Sequence, residues 1–257
     1  MKHEFIDHHR SGTSLVHQAD PRLKLIILIT YIFSVVAIPE KYLRSYLVLA
    51  VIPLTLSLLS GISLWHYFQK LSKLYPMIFF ITFILPFIPD KGTPVLSFGW
   101  IHLYQTGLNN FLMINIKSIL IIFMSIVLTT TTDFNLLLKA LEKLRIPGIV
   151  IILLAFMYRY IFLLIDEDER NFFAYQSRHI RLSLRGKIKS LAKQIAVIFL
   201  RTFERGERVY LAMEARAFTG KIFTMGQLHW GVKDTIILGV YLVFLVLPLV
   251  FMTRIFS

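Results

Sequence analysis

Arginine recurs through the second half of this sequence at helical spacing. If residues 170–185 are read as a helix, Arg170, Ala174, Arg178, Arg181 and Arg185 fall on one face, with Phe172, Phe173 and Ile180 elsewhere around the axis. Further on, Leu200, Phe203, Gly206, Tyr210, Met213 and Ala217 keep a three-four spacing. Arg201, Glu204, Arg205, Glu207, Arg208, Glu214 and Arg216 occupy the rest of that helix, Glu204 and Arg208 forming a favourable i to i+4 pair. This second helix is expected to end near Thr219 and Gly220, where glycine can take a left-handed cap. A guanidinium is permanently charged and presents a fixed fork of donors, so these arginines serve recognition of acceptors rather than proton transfer. Two readings follow. Polybasic segments beside membrane spans commonly touch anionic lipid. The carboxylates, aromatic residues and Met213 interleaved in the second helix suit a protein groove better.

Other catalytic chemistry is missing. No G-x-x-x-x-G-K-[ST] loop occurs, because Arg185-Gly186-Lys187 is followed by Ile188 and Thr219-Gly220-Lys221 by Ile222. The chain is therefore not expected to hydrolyse ATP by that route, and it carries neither H-E-x-x-H nor G-x-S-x-G. The run Asp166, Glu167, Asp168 and Glu169 points around a helix, which fits ion pairing better than coordination of one metal. His3, His8 and His9, together with His17, are the one group with metal-ligand chemistry, but no defined coordination spacing accompanies them and a terminal tail is the alternative. With no cysteine, disulfides, thiolate sites and thiol nucleophiles are excluded. Lys117 beside Asn115, inside an apolar block, is a functional candidate by default, with pairing to an acid or snorkelling as the alternatives.

The elements that must position these residues belong in lipid. Of 257 residues, 56% are hydrophobic and only 17% charged, where a soluble chain carries roughly a quarter. The segment from Met1 to Asp20 is polar and does not read as a cleaved signal peptide. Apolar blocks at residues 22–38, 42–60, 74–89 and 106–130 each approach the ~20 residues needed to cross hydrocarbon and are expected to be four spans. Pro53, Pro76 and Pro86 lie in or beside them, and kinks are expected there. The breaks fall at Pro39 to Arg44, at Gly61 to Lys73 and at Pro89 to Gln105. After the fourth span, Asp133 can cap a surface helix bearing Phe134, Leu137, Leu138, Leu141 and Leu144 at helical spacing.

Charge sets the expected orientation. From Arg170 to Phe203 there are eight basic residues and no acid, which marks a cytoplasmic segment. Lys139, Lys143 and Arg145 mark the segment before Ile149 in the same way, so the apolar block from Ile149 to Ile165 is expected not to cross but to pack under the bundle, with Arg159 snorkelling or paired. A cytoplasmic N-terminus then leaves the loop around Lys70 and Lys73 inside and the loop from Pro89 to Gln105 outside. The last block, Thr235 to Met252, is the final span. The expectation is an all-α integral membrane protein of the cytoplasmic membrane, with a transmembrane bundle at 1–132, amphipathic cytoplasmic helices at 133–230 and a C-terminal span at 231–257. The +13 net charge lies beside spans, so lipid rather than nucleic acid is the expected partner surface.

The run from Arg201 through Arg216 to Gly220 strongly resembles the signature of the transmembrane (T) component of energy-coupling-factor (ECF) transporters, of the cobalt/nickel CbiQ type. Ala19-Asp-Pro-Arg-Leu-Lys24 resembles that family's N-terminal motif, Leu141 to Pro147 its leucine-rich stretch, and Asp166 to His179 its first arginine helix. The resemblance covers essentially the whole chain. It implies a non-catalytic subunit that transmits motion from two ABC-type ATPase subunits to a substrate-binding (S or CbiM-like) membrane subunit. ATP and Mg would sit on the partners, with no cofactor on this chain. It further implies that Arg178 in Ser177-Arg178-His179 and Arg216 in Ala215-Arg216-Ala217 seat in grooves of the two ATPases. Arg170, Arg205, Arg208 and Glu214 are the supporting charges. The family often has glycine after each arginine, where this chain has His179 and Ala217. The rival readings are a stand-alone channel or secondary carrier, which would need convergent polar residues inside the spans, and an intramembrane enzyme or scaffold.

Overall fold

The structure, a computed structural model, describes residues 14–39, 43–88, 94–98, 101–177, 183–218, 220, 231 and 234–243. The chain is an all-α membrane protein organised as two units: Met1–Ala140 with Gln227–Ser257, and Leu141–Gly226.

The first unit begins with the short helix α1 (Leu15–Gln18) and then α2 (Pro21–Ala37). Asp20 and Pro21 explain where α2 starts. Asp20 is extended at the N-cap and its carboxylate accepts from Arg22 N, while Pro21 takes a first-turn position that needs no N–H. Helix α3 (Leu43–Leu59) runs through Pro53, and α4 (Leu64–Thr82) through Pro76. At Pro86 the chain instead leaves the α-helix for a 3-10 turn, Leu85–Phe87. Helix α4 starts at Leu64, so Lys70 and Lys73 lie on a helix and not in the expected loop. Ser63 stands at its N-cap without a side-chain capping bond, its carbonyl accepting from His66 N at 2.9 Å.

The connection from Pro89 to Gln105 also differs from a plain loop. Strands β1 (Pro94–Phe98) and β2 (Ile101–Tyr104) pair antiparallel, Ser97 with His102 and Phe98 with Ile101, with an irregularity between Pro94 and Leu96. Helix α5 (Gln105–Thr131) follows, 27 residues and so ~40 Å long. It packs against α2, α3, α4 and the 3-10 turn. At the last of these contacts Gly107 is required, because a Cβ there would lie 2.6 Å from Leu85 O and 3.0 Å from Pro86 Cα.

The core is a stripe of α2 at four-residue spacing, Leu23, Ile27, Tyr31 and Val35, against Tyr46, Leu49 and Ile52 of α3, Leu120 and Met124 of α5, and Tyr241. Tyr241 belongs to α9 (Asp234–Val243), and its hydroxyl donates to Ile27 O at 3.0 Å. On the other side of the bundle the apolar residues point outward, with Met77 72% and Phe80 75% exposed. That pattern fits a helix solvated by lipid. Three helical segments are long and apolar enough to cross a membrane, Leu64–Phe87, Gln105–Thr131 and Gly148–Ala174. Helices α2 and α3, at 17 residues each, stand at the short end of the spanning range.

Helix α6 (Phe134–Lys143) leads out of the first unit. It ends in a Schellman motif: Arg145 N donates to Glu142 O and Ile146 N to Leu141 O, with Arg145 at φ 65°. The second unit contains α7 (Gly148–Gln176) and α8 (Leu184–Ala215), which pack on each other. Helix α7 runs without a break from its apolar half into its acidic and basic half. None of the 32 residues of α8 is buried.

Candidate functional site

The C-terminus of α8 closes the second arginine segment, while that of α7 falls inside the first. Helix α7 stops at Gln176, followed by Ser177, whose N–H and hydroxyl both bond Phe173 O. Arg178, His179 and Arg181 lie outside the described residues. A new helix starts at Leu184, capped by the Ser183 hydroxyl accepting from Gly186 N. The cationic stripe expected on one helix is therefore divided, with Arg170 on α7 and Arg185 on α8. Arg170 is exposed, and its Nε donates to Asp166 O at 3.2 Å.

Helix α8 ends at Ala215, with Arg216 as its C-cap. Ala217 N donates to Glu214 O and Phe218 N to Met213 O, a Schellman motif with Ala217 left-handed at φ 53°. The left-handed cap thus falls at Ala217, three residues before the expected Gly220, an alanine taking the conformation for which glycine is the usual choice. The family's frequent glycine after the second arginine corresponds to this position. Ala215, Arg216, Ala217 and Glu214 are all exposed. A cation at a helix C-terminus sits where the dipole and the last free carbonyls favour it. Arg216 accordingly presents an exposed guanidinium from the end of a helix ~48 Å long.

Of the expected supporting charges, Arg208 is braced by an ion pair. Arg208 Nη1 lies 4.0 Å from Glu204 Oε2, as the i to i+4 spacing foretold. Arg205 is half-buried on the same helix. A further pair was not legible: Arg201 of α8 donates to Glu167 of α7 and lies 3.5 Å from Asn171 Oδ1. The acidic run thus works through ion pairing. Among the described residues no group of three His, Asp or Glu side chains is placed to hold a metal. His3, His8 and His9 lie outside them.

The polar residues inside the spans have structural partners. Asn115 donates to Thr82 Oγ1 and Phe111 O and accepts from Tyr75 OH. Lys117 meets no acid among the described residues; its ammonium donates to Val36 O at 3.4 Å and lies 5.9 Å from the Tyr46 ring centre. Neither arrangement resembles a set of convergent groups awaiting a solute.

Comparison with protein families matches residues 12–230 to the family described as CbiQ, cobalt transport protein. The chain belongs to the CbiQ family. Its similarity to curated members of the transporter group is extended over nearly the full length. It is 30% identical over 250 residues to the energy-coupling factor transporter transmembrane protein EcfT of Streptococcus equi, covering 90% of this chain and 92% of that one. The EcfT of Streptococcus thermophilus is 29% identical, covering 88% and 89%. An uncharacterized protein of Methanocaldococcus jannaschii is 26% identical, covering 90% and 80%. CbiQ membership makes this chain a membrane component of a transport system, and the motif from Arg201 to Gly220 falls within the matched region.

Proposed function

We propose that this chain is the energy-coupling transmembrane subunit of an ABC-type ECF importer. It passes ATP-driven motion from two cytoplasmic ATPase subunits to a substrate-binding membrane subunit. The observation that carries the reading is the end of α8: an exposed Arg216 held at the C-cap of a helix with no buried residue. A helix with no buried residue, an amphipathic sequence and a cation at its tip is suited to a protein partner. Arg178, two residues beyond α7, gives the second anchor.

Each anchor would form charge-assisted hydrogen bonds contributing ~1.5–3 kcal/mol. When ATP closes the ATPase pair, the two arginine-bearing helix ends move with it. Helices α7 and α8, packed together and tied by Arg201 and Glu167, carry that motion toward the substrate subunit. ATP and Mg belong to the ATPases, and the similarity to EcfT proteins supports the division of labour. The CbiQ description supports cobalt or nickel as the cargo, selected by the partner membrane subunit. The charge rule supports the bacterial-type orientation in which the N-terminus and the 133–230 region face the cytoplasm of an inner membrane, with 149–165 not crossing.

The test is to purify the tagged chain from detergent-solubilised native membranes and identify what remains bound by mass spectrometry, with an ATPase assay of the product. The expected result is two ATP-binding-cassette subunits and a small membrane protein. Recovery of the chain alone, transporting without ATP, would overturn the reading.

A further inference from the structure

The first half of α8 is unlike the second. Along 184–200, Leu184, Ile188, Leu191, Ile195 and Phe199 repeat every three or four residues and so share a stripe on one side of the helix. The stripe points outward, from 56% exposed at Leu191 to 79% at Leu184. Further along, the same side of the helix carries Thr202 and Gly206, and the apolar stripe lapses. Contiguous apolar surface of this kind marks a place where something other than water belongs.

The charges of the two halves decide what covers it. Arg185, Lys187, Lys189 and Lys193 are the ionic residues of 184–200, all exposed, and no acid stands among them. None of the four pairs with a carboxylate among the described residues. From Arg201 to Arg216, by contrast, four arginines are interleaved with Glu204, Glu207 and Glu214. Helical spacing places Arg185 and Lys187 on either side of the stripe, where long stems can lie along apolar surface while the charged ends reach headgroups. A basic face beside an outward apolar stripe is the pattern of a helix lying in a bilayer interface, whereas mixed signs with aromatic residues suit a protein. The neighbouring helix of the same unit agrees. Helix α7 presents Ile149, Leu153, Met157, Ile161 and Ile165, all exposed, at four-residue spacing on a segment long and apolar enough to cross a membrane. A unit that turns apolar stripes of both its long helices outward suits lipid better than water.

We propose that 184–200 is a surface for anionic lipid: the stripe from Leu184 to Phe199 enters the boundary between headgroups and acyl chains, and Arg185, Lys187, Lys189 and Lys193 meet the lipid phosphates. At ~1.5 Å per residue the segment lies along ~25 Å of membrane surface. Helix α8 is thus divided at Arg201, its lipid surface lying wholly before the arginine that pairs with Glu167. Neither Arg178 nor Arg216 belongs to this surface, so it stands apart from the coupling reading.

The chain contains no cysteine, so Ile195→Cys carries an environment-sensitive dye at a single site. The labelled full chain is reconstituted in nanodiscs of phosphatidylcholine alone or with about a third phosphatidylglycerol. Two quenchers are compared, a nitroxide on the lipid acyl chain and acrylamide in the water. In the anionic discs the dye should be quenched by the nitroxide and protected from acrylamide. Val197→Cys, two residues on and ~200° around the axis, should show the reverse. Lys187→Gln, Lys189→Gln and Lys193→Gln together should lower the seating equilibrium, read from the balance of the two quenchers, by about a hundredfold, and abolish the difference between the two lipid compositions. Leu191→Cys takes the place of Ile195→Cys if that variant does not accumulate. Acrylamide reaching position 195 in the anionic discs would overturn the lipid surface. A nitroxide response that is equal in neutral lipid, or that survives the triple substitution, would overturn its recognition of anionic lipid. A dye reached by neither quencher would mean that protein, a second copy of the chain included, covers the stripe, and would overturn it as well.

Discussion

The two units of this chain place their polar side chains in opposite ways. In the first, Asn115, Tyr75 and Thr82 bond one another between α4 and α5, and Tyr241 bonds across to α2. In the second, Arg170, Arg208, Glu214 and Arg216 are exposed, and α8 buries nothing. A polar group in a lipid-facing bundle has no water to fall back on and must find a partner within the fold. Charges on a helix with an outward apolar stripe are available to another molecule. The difference teaches that polar residues buried in the first unit bond within it, while most of the charges on α8 stay exposed.

Substitutions can break or sharpen that contrast. The largest effect is expected at Gly107, where any Cβ meets backbone atoms of the 3-10 turn. Gly107→Ala should destabilise by ~2–3 kcal/mol, read as a lowered unfolding midpoint in detergent. An unchanged midpoint would mean that α5 and the turn are not in that close contact. Next, Asn115→Leu strands the Tyr75 hydroxyl, while Thr82 keeps its bonds to Ile78 O and Phe79 O, and should cost ~1–2 kcal/mol by the same measurement. Tyr75→Phe made in the Asn115→Leu background should then add little.

Effects in the second unit should be smaller and of either sign. Ala217→Gly relieves a left-handed alanine and should stabilise the end of α8 by ~1 kcal/mol, seen as slower amide exchange at Ala217 and Phe218. Slower exchange in Ala217→Val would contradict the motif. Smallest of all, Arg201→Ala removes a half-exposed ion pair and should shift stability by less than ~1 kcal/mol.

The contrast also explains what could be read in advance. Asp20-Pro21 announces a helix start by local chemistry alone, and Glu204 with Arg208 by spacing. Arg201 with Glu167, and Lys24 with Thr131, join residues 34 and 107 positions apart, which no periodicity links. The hairpin at 94–104 was hidden by the turn residues around it, since Asp90, Gly92, Pro94 and Gly99 signal a break whether or not strands lie between them. The end of α8 was misplaced because Gly220 is the conventional stop and an alanine at positive φ has no sequence mark. Arg170 and Arg185 were legible as charge at helical spacing, but their division between α7 and α8 was not, since nothing in residues 170–185 breaks the helical pattern strongly enough.

The central claim is that Arg178 and Arg216 hold the ATPases. Its most direct test is the recovery of ATP-binding-cassette subunits with a tagged Arg178→Ala, Arg216→Ala double variant, beside the wild type. Two anchors of at least ~1.5 kcal/mol each predict a loss of about a hundredfold or more in affinity, and so loss of the ATPases from the purified protein. Full recovery of both ATPase subunits with the double variant would contradict the account.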